Sequence, residues 1–328
     1  MKEIHSLEKI AVMLFNLGGP DSLQAVKPFL YNLFSDRDII KLGPPFLQKP
    51  IASLIANIRS KKTMDAYSLI GGKSPILDIT FSQAKALEDS LNKEIGLDVQ
   101  FKVYVGMRYW HPFIHDVIKQ IHGEGIKKVI ALSLYPQYSI ATTGSSLKVI
   151  EDSIKQFNLE CFYIRSWFDN YLYIDAMVEK IKEGLKSFQA EIDLKTPVLF
   201  SAHSLPQRFI DEGDPYLKET KGTIEKILEK IDIEWHLSFQ SKSGPVKWLE
   251  PSTEEMIYRL SKRGVKNLLI VPISFVSDHI ETLYEIDIVY KKMAEELGIN
   301  LKRTESLNTS PKFIEALKNM VIKAIEGS

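Results

Sequence analysis

The sequence predicts an α/β protein of two doubly wound domains facing each other, each built on a four-stranded parallel sheet flanked by helices. Three observations carry this. Short apolar, β-rich runs alternate with longer amphipathic ones along the whole chain, the pattern of a parallel sheet covered by helices. A length of 328 residues with 45% apolar side chains exceeds what one ordinary domain needs and can bury two cores. The first four β-rich runs are spaced much like the last four, as in a duplicated architecture without residue-level repeats.

In chain order, residues 10–16 (IAVMLFN) form the first strand. Helical periodicity over 76–94 leads to the strand 99–107 (VQFKVYVGM), 112–124 to 128–135 (KVIALSLY), and 145–157 to 160–164 (ECFYI). The second half repeats the scheme. A helix at 171–188 precedes the strand 197–203 (PVLFSAH), 215–231 precedes 236–240 (HLSFQ), 252–263 precedes 267–274 (NLLIVPIS), and 282–297 precedes 300–303 (NLKR). Ser252 with Glu255 reads as a capping box, and Gly298 as a stop after Leu297. Domains are expected at 1–168 and 169–308, with a helix at 311–326 inside a terminal segment, 309–328, that packs back on the N-terminal domain.

Composition excludes several functions. Lys+Arg and Asp+Glu both number 42, without a basic tail or block, so nucleic acid is not an expected partner. The single cysteine, Cys161, cannot form an internal disulfide or a four-thiolate site, which points to a reducing compartment and to nitrogen and oxygen as metal ligands. The opening MKEIHSLEKI lacks the apolar core of a leader, and the longest apolar stretches, 129–134 and 268–276, fall far short of the roughly 18 residues that span a bilayer. A soluble or peripheral protein is expected.

In open α/β sheets ligands bind beyond the carboxyl ends of the strands. The segments there are NLGGP (16–20), GMRYWHP (106–112), YPQYSIATTGSS (135–146), SAHSLP (201–206), QSKSGPVKWLEP (240–251) and PISFVSDHIETLYE (272–285). Rich in aromatic, hydroxyl, Gly and Pro residues, they read as one composite cleft. NLGGP lacks the G-x-G-x-x-G spacing of a dinucleotide loop, and GGKSP (71–75) lacks the first Gly of a P-loop, where Tyr67 stands. Both read as tight turns leading into helices.

His203 ends a buried strand just before Pro206, a place that suits either a packed histidine or a functional one. If a helix begins near Ser277, then Asp278, Glu281 and Glu285 share a face at i, i+3 and i+7. Such a stripe is a solvated surface or a route for protons or cations; its position directly after a buried strand favours the route. Like-charged neighbours and burial would raise some of these carboxyls toward neutrality, as suits a proton acceptor. An imidazole facing a carboxylate without thiolates suits a divalent cation held transiently.

SAHSLP with GDPY downstream, QSKSGPVKWLEP, PISFVSDHIETLYEID and NLGGPDS together resemble the ferrochelatase family, in the family's order from residue 10 to about 317. The resemblance implies two Rossmann-like, chelatase-like domains with a porphyrin cleft between them. It implies insertion of Fe2+ into protoporphyrin IX with release of two protons, the last step of heme biosynthesis; coproporphyrin III as substrate, or a tetrapyrrole or metal carrier, are the alternatives. It makes His203 the cleft histidine, metal ligand or acceptor of pyrrole protons, with Glu281 its partner across the macrocycle and Asp278, His279 and Glu285 extending the acidic path. On the porphyrin side it points to Leu17, Arg59, Tyr67, Arg108, Tyr109, Tyr135, Trp248 and Phe275, with Arg59 and Arg108 as propionate partners and the apolar groups as walls. Read blandly, Trp248 and Tyr135 are core aromatics and Arg108 is an interdomain ion pair.

Iron is then a substrate and no resident cofactor is expected. Some relatives carry a [2Fe-2S] cluster on cysteines in the YPQYS segment and a C-terminal extension; here Ile140 holds the first position and no cysteine follows Cys161, so no cluster is expected. The family's helix-dimer contacts lose their basis with that extension, leaving the oligomeric state open. Residues 42–59 resemble a mobile lip whose apolar face (42–58) could rest on a membrane, with Lys49, Lys61 and Lys62 beside it, though a plain helical hairpin fits as well. The location implied is cytoplasmic, at most peripheral on an inner membrane.

Overall fold

The computed structural model describes residues 8–93, 99–188 and 194–326. The start of the opening segment and Glu94 of the 76–94 helix lie outside the described residues. Strand β1 (Glu8–Asn16) is followed by α1 (Val26–Ser35), a 3-10 turn at Pro45–Leu47, α2 (Gln48–Ser68) and α3 (Ile76–Leu91). Then come β2 (Val99–Met107), α4 (Ile114–Gly123), β3 (Lys128–Ser133), a π-helix at Ile140–Gly144, α5 (Ser145–Phe157) and β4 (Glu160–Ile164). The second half runs α6 (Tyr171–Lys186), β5 (Val198–His203), α7 (Gln207–Asp211), α8 (Tyr216–Leu228), β6 (Trp235–Gln240), α9 (Thr253–Lys262) and β7 (Asn267–Pro272). A second π-helix (Glu281–Tyr290), α10 (Lys291–Glu296), β8 (Asn300–Arg303) and α11 (Pro311–Glu326) complete it.

Two four-stranded sheets result, β2-β1-β3-β4 and β6-β5-β7-β8, and every strand pairing within them is parallel. The order within each half is the same. The inner strands β1, β3, β5 and β7 are buried on both faces, which explains why their sequences read as nearly continuous apolar runs. Alternate residues of β1 serve different cores: Val12 and Leu14 belong to the largest, while Ala11, Met13 and Phe15 belong to an outer one. In β7, Leu269 and Val271 share the largest core and Leu268 and Ile270 face a second outer core.

That largest core joins both sheets through α3, α6, α8 and α11, so the two halves are one packed body. Phe313 and Leu317 of α11 lie in the same cluster as Leu87 and Leu91 of α3. The approach of α6 to the second sheet is close enough that a Cβ on Gly184 would meet Leu269 Cδ1 at 2.8 Å.

The sequence reading misplaced the ends of β3 and β7, expected at 135 and 274. Both stop two residues earlier, and in both halves the next residue donates its N–H to the domain's first strand: Leu134 to Phe15 O (3.0 Å) and Ile273 to Ser201 O (3.1 Å). Larger corrections concern helices. The helix expected at 282–297 is mostly π-helical and begins at Glu281, and a five-residue π-helix precedes α5. Ser252 does cap α9, accepting from Glu255 N at 3.3 Å, but the Glu255 carboxylate turns to Arg259, so only half of the box forms.

Candidate active site

A cavity lined mostly by apolar groups opens between the two sheets' carboxyl ends. Leu17, Ile76, Leu134 and Tyr135 line it from the N-terminal half; His203, Phe275, His279 and Glu281 line it from the other. The Gly-rich loops face each other rather than a phosphate. Ser74 N donates to Pro20 O at 2.8 Å, and a Cβ on Gly19 would meet Ser74 Oγ at 2.5 Å.

His203 ends β5, and its Nδ1 lies 2.8 Å from Glu281 Oε2 at the start of the second π-helix. A carboxylate only accepts, so Nδ1 carries the hydrogen and Nε2 is left for the cavity. About a third of the side chain, 34%, is exposed there. Burial alone would lower the imidazole's pKa, but the charge and hydrogen bond of Glu281, with Glu285 behind it, outweigh this and leave it raised. Tyr216 donates to the His203 carbonyl at 2.9 Å, and its oxygen lies 2.6 Å from Ser274 Oγ, fixing the strand end.

Behind this pair stands Glu285. Ser241 Oγ lies 2.7 Å from Glu281 Oε2 and 2.5 Å from Glu285 Oε2. One hydroxyl hydrogen cannot serve two ionised carboxylates at once, which favours a proton on one of them. It is Glu285: burial and the charge of Glu281 push it up to about 7, despite opposing bonds from Ser241 and Gln240. Glu281 is held in the opposite direction; burial opposes this, but His203, His279 and the Ser241 hydroxyl keep it well below the usual carboxylate range. Gln240, itself held by Ser201 at 2.7 Å, donates to the Glu281 carbonyl (3.0 Å) and to Glu285 Oε2 (3.2 Å).

His279 is buried, and its Nδ1 lies 3.1 Å from the Ser277 carbonyl, which fixes the tautomer; burial keeps the ring below its ordinary pKa and so neutral. Phe275 sits edge-on to both histidines, with ring centroids 4.3 Å from His279 and 6.3 Å from His203. Among the described residues no cluster of three or more potential ligands is assembled, so His203 and Glu281 form a two-ligand pair.

The structure thus gathers Leu17, Tyr135, His203, Phe275, His279 and Glu281 at one cavity, with Glu285 one hydroxyl away. It does not bring the remaining residues to that wall. Asp278 precedes the π-helix instead of sharing a face with Glu281 and Glu285, and it pairs with Arg303 at 3.0 Å. Arg108 pairs with Asp36 at 2.6 Å, a contact inside the N-terminal half rather than between domains, and Tyr109 donates to the same carboxylate at 2.7 Å. Tyr67 is buried in the α1–α2 cluster, its hydroxyl pushed up by burial and by the charge of Glu281. Arg59 lies exposed on α2 and reaches across to Ser243 Oγ at 2.7 Å. Trp248 borders a neighbouring hollow with Phe239 and Leu217. Ser241, Gln240 and Tyr216 were not singled out from sequence, although each falls in a quoted motif (QSKSGP, GDPY). Hydroxyl and amide groups have no charge pattern to betray them.

Two like α/β domains facing each other across an apolar cavity floored by a His–Glu pair define a chelatase. The solved structure of SirB from Bacillus subtilis with Fe3+ superposes at a TM-score of 0.56 with 12% identity, covering 98% of both chains, and that of CbiX at 0.51 with 8% identity, covering 97% of this chain and 99% of that one. These fix the fold. A family profile described as Ferrochelatase matches residues 9–325. Ferrochelatases of Geotalea uraniireducens and Geobacter metallireducens are 53% and 52% identical, covering 98% and 97% of this chain and 99% of each relative. The chain belongs to the ferrochelatase family and is an enzyme of metal insertion into porphyrins.

Proposed function

We propose that the substrate pair is Fe2+ and protoporphyrin IX, giving protoheme and two protons as the last step of heme biosynthesis. The observation that carries this is the His203–Glu281 pair opening into an apolar cavity between the halves. A free porphyrin keeps two nitrogens protonated and all four in the ring plane, so insertion needs a base at the face and a hold on the ring. Apolar walls at Leu17, Tyr135 and Phe275 bind the macrocycle, and binding energy spent away from the reacting nitrogens can bend it. His203 Nε2 receives a pyrrole proton, Glu281 stabilises the imidazolium, and Ser241 links Glu281 to Glu285 as the next acceptor. His203 and Glu281 are also the groups that could meet the incoming iron. Arg59, exposed on α2 and reaching Ser243, suits a propionate.

Anaerobic mixing with Fe2+ or Zn2+ and either protoporphyrin IX or coproporphyrin III, followed by loss of free-porphyrin fluorescence, tests the reading. Faster loss with coproporphyrin III would reverse the substrate; no loss with either would reject insertion.

No resident cluster is part of this reading. The chain's one cysteine, Cys161, is a half-buried thiol that burial pushes up to about 11, and four-cysteine ligation needs partners the sequence lacks. An iron–sulfur absorbance band in purified protein would overturn this.

Peripheral membrane contact is proposed through the lip. No helix among the described residues is long and apolar enough to cross a bilayer. On the lip, however, Phe46 is 76% exposed, Leu54 58% and Ile58 70%, beside the exposed Lys49, Lys61 and Lys62. The opposite face of α2 buries Ala52, Ala56 and Tyr67, so the hairpin is packed and still presents an apolar face. Phe46→Asp with Ile58→Asp should cut co-sedimentation with anionic vesicles roughly tenfold, and unchanged co-sedimentation would sink the idea.

A further inference from the structure

Among motif residues the mechanism leaves unused, Asp278 has the fullest set of partners. Its Oδ1 accepts from Ser306 (2.8 Å), Arg303 Nη1 (3.0 Å) and Thr282 (3.1 Å), and its Oδ2 accepts from Asn308 Nδ2 (2.9 Å). Its own N–H donates to Asn308 Oδ1 at 3.0 Å. A carboxylate so saturated has little capacity left to take up a proton or a cation. Its role is better sought in what Arg303 does next.

Arg303 ends β8 and is 10% exposed. Its Nε and Nη2 meet the two oxygens of Asp287 at 2.9 and 2.8 Å, a bidentate fork, while Nη1 reaches Asp278. Asp278 stands just before the second π-helix, and Asp287 is its seventh residue. One guanidinium on a rigid strand therefore ties both sides of the segment that carries Glu281 and Glu285. Asp287 lies two residues after Glu285, so the fork grips the back of the helix and leaves its other face to Ser241 and His203. The tie extends to the N-terminal half: Gln83 of α3, fully buried, donates to Ser277 Oγ (2.9 Å) and to the Asn308 carbonyl (2.8 Å).

Such a tie has a reason to exist. π-helices are rare and are mostly single turns inside α-helices, because their hydrogen bonding and packing are poorer. Ten consecutive π residues need support from outside the helix.

We infer that Arg303 is a positioning residue for metal insertion: gripping Asp278 and Asp287, it holds the second π-helix in the register that sets Glu281 against His203 and Glu285 against Ser241. This rests on the reading of Glu281 and Glu285 given above, so the test pairs a catalytic readout with one that needs no turnover. Arg303→Gln and Asp287→Asn should each lower kcat for Zn2+ insertion roughly ten- to a hundredfold, since small misplacements of reacting groups are costly, while porphyrin Kd stays within about threefold. Hydrogen exchange at the 281–290 amides, measured without porphyrin, should quicken in both. The double variant should be no worse than Arg303→Gln alone, because both changes remove one contact. Arg303→Lys, which keeps charge but not the fork, should fall between, and with Asp287→Asn it carries the test if Arg303→Gln does not fold.

Unchanged exchange in these variants would overturn the clamp. Faster exchange with wild-type kcat would overturn its role in the reaction while leaving the helix anchored. A kcat loss confined to Asp278→Asn, with Asp287→Asn at wild type, would return Asp278 to the proton path. Loss of turnover in all variants alongside wild-type turnover in Glu281→Gln would instead fault the reading of Glu281.

Discussion

The two halves of the molecule share strand order, the hydrogen bond that follows the third strand, and a π-helix at the same point of the chain path. They differ in what that π-helix carries. In the N-terminal half it is Ile140–Gly144 (IATTG), without a charged side chain, and the loop before it is held by carboxylates from the other half. Asp214 Oδ2 accepts from Ser139 Oγ (2.9 Å) and Ile140 N (2.7 Å), and Glu219 Oε2 accepts from Tyr138 N (2.6 Å). In the C-terminal half it is Glu281–Tyr290, with two glutamates facing the cavity side and Arg303 behind. The two halves supply walls of like architecture, and only one of them carries acid–base groups. A proton exit needs one route, whereas a flat macrocycle needs walls on both sides.

The sharpest break in that comparison is removal of the reacting pair. His203→Ala and Glu281→Gln should each lower kcat by about 10² to 10⁴, the range for a positioned base, with porphyrin affinity changed only a few-fold. Quenching of protein fluorescence by porphyrin checks the second half. Affinity lost in step with kcat would mean that the C-terminal wall binds rather than reacts.

A smaller effect is expected from Glu285→Gln, which keeps shape and hydrogen bonds but cannot ionise. In the wild type Glu285 is protonated below about pH 7 and becomes an acceptor above it, so kcat should rise with pH through that value. The variant should lose this rise, with kcat about tenfold lower at pH 8. Stability should move the other way. A carboxyl whose folded pKa is raised above its unfolded value binds its proton more tightly when folded, so stability declines as pH climbs from the ordinary carboxyl value of 4.5 to about 7 and is flat beyond. At pH 8 the variant should therefore be more stable than wild type, by about 1 to 3 kcal/mol, as thermal unfolding would show. Equal stability at pH 5 is part of the same expectation.

Much of this was readable in the sequence, and the part that was not has a physical cause. The inner strands β1, β3, β5 and β7 lay in apolar runs, because parallel strands buried on both faces leave little ambiguity of pattern. His203, Glu281 and Glu285 could be found because strand carboxyl ends mark the cleft and charges stand out there. Asp278 was placed with them by assuming an α-helix from Ser277; the helix starts later and with a wider turn, and that spacing could not be known from residue types. Arg303 and Gln83 were invisible, since their partners lie 25 and 225 residues away and follow from topology alone. Arg108 shows the converse. Its charge suggested a ligand, but Asp36, 72 residues earlier, had already claimed it.

The mildest test touches the N-terminal wall. Asp214 is buried, and besides holding Ser139 and Ile140 it accepts from Tyr216 N at 2.9 Å. Asp214→Ala would strand a hydroxyl and two backbone N–H groups, which costs about 1 to 3 kcal/mol for each donor left without water. Because the 139–142 segment lines the cavity through Ser139 and Thr142 but carries no acid or base, the loss should fall on stability and porphyrin KM. The value of kcat at saturating porphyrin should stay within about threefold. Asp214→Asn, which can still accept through its amide oxygen, should recover most of the stability. A fall in kcat as deep as that of Glu285→Gln, with KM unchanged, would mean that the uncharged π-helix takes part in proton movement, and the division of labour between the two walls would have to be abandoned.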